Sequence, residues 1–229
     1  MEDHVDYPLV SAIMLAGRAS TQDIISAIAN FKQQTYPYKE LIIVNNAKTQ
    51  FDAAALNIQA TRDVFLVDTP FHLSTGMARN YGIAAANGRI IAQHDHNYWY
   101  APNRLESQIA TMANNEAQIV VLTSTLSYSF GSGRASYHKN DKEAILNTMV
   151  CVRPAGIDYP NIDKQEELGF IERMQQAGAR LISMSAPELA CYLYLTDRDR
   201  ITKPVKCELS NDHFKLIKKI LKDRNKIHI

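Results

Sequence analysis

Gly76-Met-Ala-Arg-Asn80, a small-residue run to Asn87, the apolar stretch Arg89-Ile-Ile-Ala92, then His94-Asp-His-Asn-Tyr-Trp99 and Pro102-Asn-Arg-Leu-Glu106 form the segment whose reading decides the fold. Residues 75–87 read as a helix whose Ala- and Gly-rich face packs closely on a sheet. Residues 89–93 read as a buried strand, and 102–114 as the next helix. Between them lies a strand end crowded with His94, Asp95, His96 and Asn97. Ligands of open α/β sheets bind at the carboxyl ends of strands, so this cluster is a site candidate on position and chemistry alone.

The same alternation extends outward. Residues 9–14, 40–44, 64–67 and 119–123 read as further strands, and 23–34 as a helix with Ile24, Ile25, Ile28 and Phe31 at helical spacing. Residues 52–60 read as a short helix. Strands alternating with helices imply parallel pairing with right-handed crossovers, hence an α/β fold with a central, mostly parallel sheet flanked by helices. The second half is less regular. Residues 127–140 (SYSFGSGRASYHKN) are rich in Gly, Ser and Tyr and read as a mobile loop. Residues 149–153 and 180–184 read as strands, and 165–177 as a helix stopped by Gly178. Residues 211–224 read as a basic amphipathic helix with Phe214, Ile217, Ile220 and Leu221 on one face.

With 229 residues, 46% of them hydrophobic, the chain can build one sizeable core. A net charge of +1 offers no global field for nucleic acid. Residues 203–229 nevertheless carry eight Lys and Arg against three acids, leaving the rest slightly acidic. Three cysteines without a CxxC pair argue against a disulfide framework and fit a reducing compartment. The acidic start MEDHVDYP does not read as a signal peptide, and no apolar run reaches the ~20 residues that span a bilayer. These features predict a cytoplasmic protein. The basic tail has two readings: contact with an anionic membrane surface, or packing of its apolar stripe on the domain, which is favoured.

Four motifs in order carry a resemblance: Pro8-Leu-Val-Ser-Ala-Ile-Met14, Gln34-Thr-Tyr-Pro-Tyr-Lys-Glu-Leu-Ile-Ile-Val-Asn-Asn46, Gly76-Met-Ala-Arg-Asn-Tyr-Gly-Ile83 and Pro102-Asn-Arg-Leu-Glu106. Together they resemble glycosyltransferase family 2 over roughly residues 8–185. The resemblance implies the Rossmann-like GT-A fold and a nucleotide-sugar donor. It further implies one domain over 1–203, with a nucleotide-binding half at about 8–125 and an acceptor half at about 126–203. The basic helix of 204–229 follows.

The resemblance also suggests roles. Asn45-Asn46 stands where the family usually has two aspartates, the first reading a uracil-type base. Asn45 offers both a donor and an acceptor for a base edge, although Asn also favours turns. In the first loop the family's Thr and Tyr are absent. Ala16-Gly17-Arg18 occupies the place, where Gly17 admits close approach of a nucleotide and Arg18 can meet a phosphate, or the segment is a surface turn. Arg79, in an otherwise apolar helix, faces the nucleotide in the family or forms a structural salt bridge, for instance with Asp95. The family's run of aspartates falls on Asp95, His96, Asn97 and Tyr98, so only one acid remains. Such a set is a poor Mg²⁺ site. Mn²⁺ through Asp95, Asn97 and His94 or His96 stays open, as do direct contact of His96 with the diphosphate and a site that no longer binds metal. Asp197-Arg198-Asp199 also reads Asp-x-Asp and is taken as a solvated turn. Glu166-Glu167 resembles the acidic pair whose second member is the catalytic base; acids also suit a helix's first turn. Phe170, Ile171 and Met174 read as core.

The resemblance therefore implies an inverting transfer from a nucleotide-diphosphate sugar, most simply a UDP-sugar, to a hydroxyl of a glycan or lipid-linked acceptor in surface polysaccharide synthesis. The competing reading is an inactive transferase-like binding module. A nicotinamide oxidoreductase is disfavoured, since no GxGxxG follows the first strand.

Overall fold

Val10–Leu15 (β1), Lys39–Asn45 (β2) and Ile90–Gln93 (β4) are runs of apolar residues buried on both faces, the signature of central parallel strands. The computed structural model describes residues 8–17, 19–46, 62–70, 73–129, 133–139, 145–186, 189–194 and 211–226. With Val64–Asp68 (β3), Ile119–Leu122 (β6), Ile145–Val152 (β9) and Leu181–Met184 (β10), they form a seven-stranded sheet ordered β10-β6-β9-β4-β1-β2-β3. All its pairings are parallel except the two made by β9, which is antiparallel to both β4 and β6. A hairpin precedes β9 in place of the crossover helix that a parallel pairing needs.

Helices Thr21–Lys32 (α1), Thr75–Ala85 (α2), Arg104–Asn114 (α3) and Glu166–Gln176 (α4) flank the sheet. α1 opens with a capping box between Ser20 and Asp23. α2 packs closely because Gly82 has no Cβ: one placed there would sit 2.6 Å from Ile13 and 3.1 Å from Val44. Ile13, Ile42 and Ile91 form the core beneath it, each burial contributing about 1.5–3 kcal/mol. Phe170, Ile171 and Met174 of α4 join that core, as expected.

A second sheet corrects the reading of the C-terminal half. Tyr98–Tyr100 (β5), Ser124–Ser129 (β7), Ala135–Lys139 (β8) and Ala190–Tyr194 (β11) form four strands ordered β5-β11-β7-β8. The expected mobile loop of 127–140 is, in its described residues, an antiparallel hairpin. Its small polar residues satisfy one another: Ser127 Oγ lies 2.6 Å from Ser136 Oγ. Asn211–Lys226 (α5) lays Ile217 and Ile220 on this sheet's cluster of Tyr98, Trp99 and Leu126. The helix thus packs its stripe and leaves Lys215, Lys218, Lys219 and Lys222 exposed. The expected helix of 52–60, Arg18 and Asp197-Arg198-Asp199 lie outside the described residues.

Candidate active site

Three strand ends converge as the alternation requires. β1 runs out at Leu15, β2 at Asn45 and β4 at Gln93. Asn46 Oδ1 accepts from the Gly17 amide at 2.9 Å, tying the first loop to the second. The cavity above them is about 450 Å³ and is lined by Leu15, Gly17, Asn46, Thr75, Asp95, His96, Asn97 and Asp163, among others. His96 donates from Nδ1 to the Leu15 carbonyl at 3.2 Å, so Nε2 is its lone-pair nitrogen.

Beside Asp95, Arg79 gathers three carboxylates. Its Nη2 lies 2.7 Å from Glu167 Oε1, its Nε 3.4 Å from Glu166 Oε1 and its Nη1 3.8 Å from Asp95 Oδ1. Nη1 also donates to Gln93 Oε1. Burial alone would lower the guanidinium's proton affinity; Asp95 and Glu167 more than offset this and hold it raised. Glu167 is raised as well, first by burial, with Arg79 opposing and Glu166 and Asp95 reinforcing. With all three acids ionised the cluster carries an excess of two negative charges.

A second buried arginine fixes the strand end from below. Arg104 donates to the carbonyls of Gln93 (2.8 Å) and Thr148 (2.9 Å) and to Gln108 Oε1 (2.7 Å), and lies 4.4 Å from the Tyr100 ring centroid. The Tyr100 hydroxyl accepts from the Asp95 amide and donates to the Asn147 carbonyl. His94 points into this layer. Its Nε2–H donates to the Ala27 carbonyl, its ring packs on Phe31 and Tyr100, and burial pushes its pKa down to about 3. His94 is therefore a buried core residue that is not among those lining the cavity.

Two backbone features place the acidic pair. Gln165, which opens α4, has φ +63°, a left-handed conformation that a non-glycine residue adopts with strain. Gly76 lies against the segment before α4: a Cβ there would fall 1.9 Å from the Pro160 carbonyl oxygen. Asp163 in that segment accepts from the Thr75 amide at 2.9 Å, supporting the start of α2.

The structure brings Gly17, Asp95, His96 and Asn97 to one cavity; Arg79, Glu166 and Glu167 are not among its lining residues and connect to it through Asp95. Asn45 and Ala16 lie beneath the cavity wall. Asn45 is buried and donates from Nδ2 to Asp68 Oδ1 at 2.7 Å, while Asn46 supplies the lining. Sequence reasoning passed over Gln93, Tyr159 and Asp163, single residues outside any motif. Among the described residues no three His, Cys, Asp or Glu side chains come together to cage a metal. A hard cation bridging a diphosphate needs only one or two protein carboxylates, however. Asp95, Asn97 and His96 line the cavity together and are the residues that could fill that open role.

The mostly parallel sheet with its strand ends converging on one cavity matches the GT-A fold that the motifs imply, and the comparisons agree. The Glycosyl transferase family 2 profile matches residues 13–185. The chain belongs to glycosyltransferase family 2. Among solved structures, S. aureus TarS 1-349 superposes with TM-score 0.63 at 13% identity, over 81% of this chain and 60% of that one. A complex of the same protein with UDP gives TM-score 0.63 at 14% identity, with the same coverage. The mannosyltransferase PcManGT from Pyrobaculum calidifontis, in complex with GDP-Man and Mn²⁺, gives 0.63 at 15% identity, over 85% and 59%. At these identities the likeness speaks to the GT-A fold. The chain spans about three fifths of the length of these structures. A search of curated proteins finds no match.

Proposed function

We propose that the protein is an inverting glycosyltransferase that moves a sugar from a nucleotide diphosphate, most simply a UDP-sugar, to a hydroxyl of a glycan or lipid-linked acceptor in surface polysaccharide synthesis. The observation that carries this is the Arg79 cluster, which joins Asp95, at the strand end that lines the cavity, to Glu167 at the start of α4. In this reading Glu167 takes the proton of the acceptor hydroxyl. The acceptor oxygen bonds to the anomeric carbon as the bond to the diphosphate breaks on the opposite face. Asn46, which lines the cavity where Asn45 is buried, meets the base, Gly17 admits the phosphates, Arg18 meets one of them, and His96 meets the diphosphate. Glu166 keeps Arg79 in place. A bound Mn²⁺ or Mg²⁺ would neutralise the departing diphosphate, with Asp95, Asn97 and His96 as the residues to hold it.

The exposed lysines of α5 extend the proposal to a cytoplasmic protein resting on the inner face of a membrane. No helix among the described residues is long and apolar enough to cross one. Because the apolar stripe is already packed, such contact is electrostatic. Cosedimentation with anionic vesicles that fades with salt, and none with neutral vesicles, is the expected result.

Calorimetric titration with UDP and GDP, with and without Mn²⁺, tests the main reading, followed by turnover on a donor panel. The expected result is binding that Mn²⁺ strengthens and Asp95→Ala abolishes. Glu167→Gln keeps nucleotide binding and loses turnover by about 10²–10⁴-fold. Nucleotide binding without turnover on any donor would support the inactive module, which the single remaining acid of the metal motif favours. No nucleotide binding at all would reject both.

A further inference from the structure

We infer that Gln93 and Tyr159 are positioning residues: a buried relay from Tyr159 through Gln93 to Arg79 sets where the guanidinium stands, and thereby how firmly it holds Glu167. The inference deepens the proposed transferase reading and rests on it for its catalytic meaning.

The relay's direction follows from donor chemistry. Arginine has only donors, so the Gln93 atom facing Arg79 must be its carbonyl oxygen, and the structure places Oε1 there. The amide's other end then has to donate, and Nε2 does so to the Tyr159 hydroxyl at 2.5 Å. Arg79 thus fixes the orientation of the amide, and the Tyr159 hydroxyl, which can donate or accept, anchors the amide's far end by taking the Nε2–H. Gln93, Tyr159 and Arg79 are 1%, 2% and 4% exposed, so water offers no substitute partner.

Each member is itself held. The Gln93 carbonyl accepts from Arg104. The Tyr159 ring stacks on Phe170 of α4, with centroids 4.0 Å apart at 4°. Asn80, the residue after Arg79, grips the Tyr159 backbone at both polar atoms: Oδ1 accepts from its amide at 2.8 Å and Nδ2 donates to its carbonyl at 3.0 Å. Neighbouring side chains of one helix therefore divide the work, Arg79 reaching the acids and Asn80 docking the segment that orients Arg79.

If Gln93 Oε1 is removed, the remaining acceptor near Nη1 is Asp95, now 3.8 Å away. The guanidinium closes that gap and draws off Glu167, whose carboxylate also faces Glu166, Asp95 and the Tyr159 ring. Its proton affinity then rises.

The experiment uses the full chain carrying ¹³C-labelled glutamate, with the Glu167 carboxyl signal assigned by its loss in Glu167→Gln. Gln93→Leu is expected to raise the titration midpoint of Glu167 by a full pH unit. Tyr159→Phe, which keeps the ring on Phe170, is expected to raise it by about half as much, while UDP affinity stays within twofold. Where a donor is turned over, kcat falls at least tenfold with the donor KM within threefold. An unchanged midpoint in Tyr159→Phe overturns the relay, as does nucleotide affinity falling in parallel with thermal stability. Should Gln93→Leu not fold, Tyr159→Phe decides alone. The carboxyl titration needs no substrate, so a parent protein that binds no nucleotide rejects the transferase reading while the relay is still judged.

Discussion

Arg79 and Arg104 are buried side by side around Gln93, yet they live in opposite surroundings. Arg79 meets three carboxylates; Arg104 meets two backbone carbonyls, one amide oxygen and an aromatic face. Arg79 takes the Gln93 side chain and Arg104 its main chain. A charge held by neutral dipoles ties chain segments together. A charge held among excess acids sets the protonation of a site. The contrast separates structure from chemistry within one layer.

The largest effect should come from breaking the chemical member. Arg79→Met is expected to lower turnover at least a thousandfold and to raise the titration midpoint of Glu167 further, since Arg79 is the group that holds it down, read by the same carboxyl titration. Arg104→Met should spare the ionisation of Glu167 and act on stability instead. It strands buried carbonyls and is expected to cost about 3 kcal/mol in denaturant unfolding. If the two variants shift both readouts equally, the distinction fails.

His94 sharpens the comparison, because it is a base in the Arg104 layer that gives up its charge. Its pKa lies at about 3 in the fold against 6.5 when exposed. The unfolded chain therefore binds the extra proton. Stability is complete above pH 6.5 and falls as pH drops toward 3, by up to about 1.4 kcal/mol per unit. In His94→Gln that slope should shrink. If Glu167 is the base, as proposed, turnover is expected to show its own acid limb with a midpoint above the ordinary 4.5. The smallest effect is expected at Gln165, where Gln165→Gly relieves left-handed strain and changes stability by at most about 1 kcal/mol.

Legibility in the sequence followed burial. β1, β2 and β4 are covered on both faces, so they are written as apolar runs and their order reads directly. The sheet of β5, β7, β8 and β11 uses Ser124, Ser127 and Ser129 in buried positions, a composition that mimics a loop. Asp95, Arg79 and Glu167 stood out because charges in apolar contexts demand partners. Gln93 did not, since a lone amide at a strand end carries no pattern. The burial of His94 was not legible, because its chemistry suits a metal while its neighbours, Phe31 and Tyr100, come from elsewhere in the chain.

The bonds that close the site have a consequence for synthesis. Arg79 reaches Glu167 across 88 residues, Ser74 reaches Asn161 across 87, and Asn80 reaches Tyr159 across 79. At ribosomal speeds, Arg79 is made roughly 4–18 s before Glu167. During that interval Arg79 has Gln93 and Asp95 as acceptors but neither glutamate. The sheet can order early, from closer partners such as β1 and β2. The acidic cluster is completed only when α4 is made, after β1 to β9, and a ribosome stalled before residue 166 holds a folding domain without it.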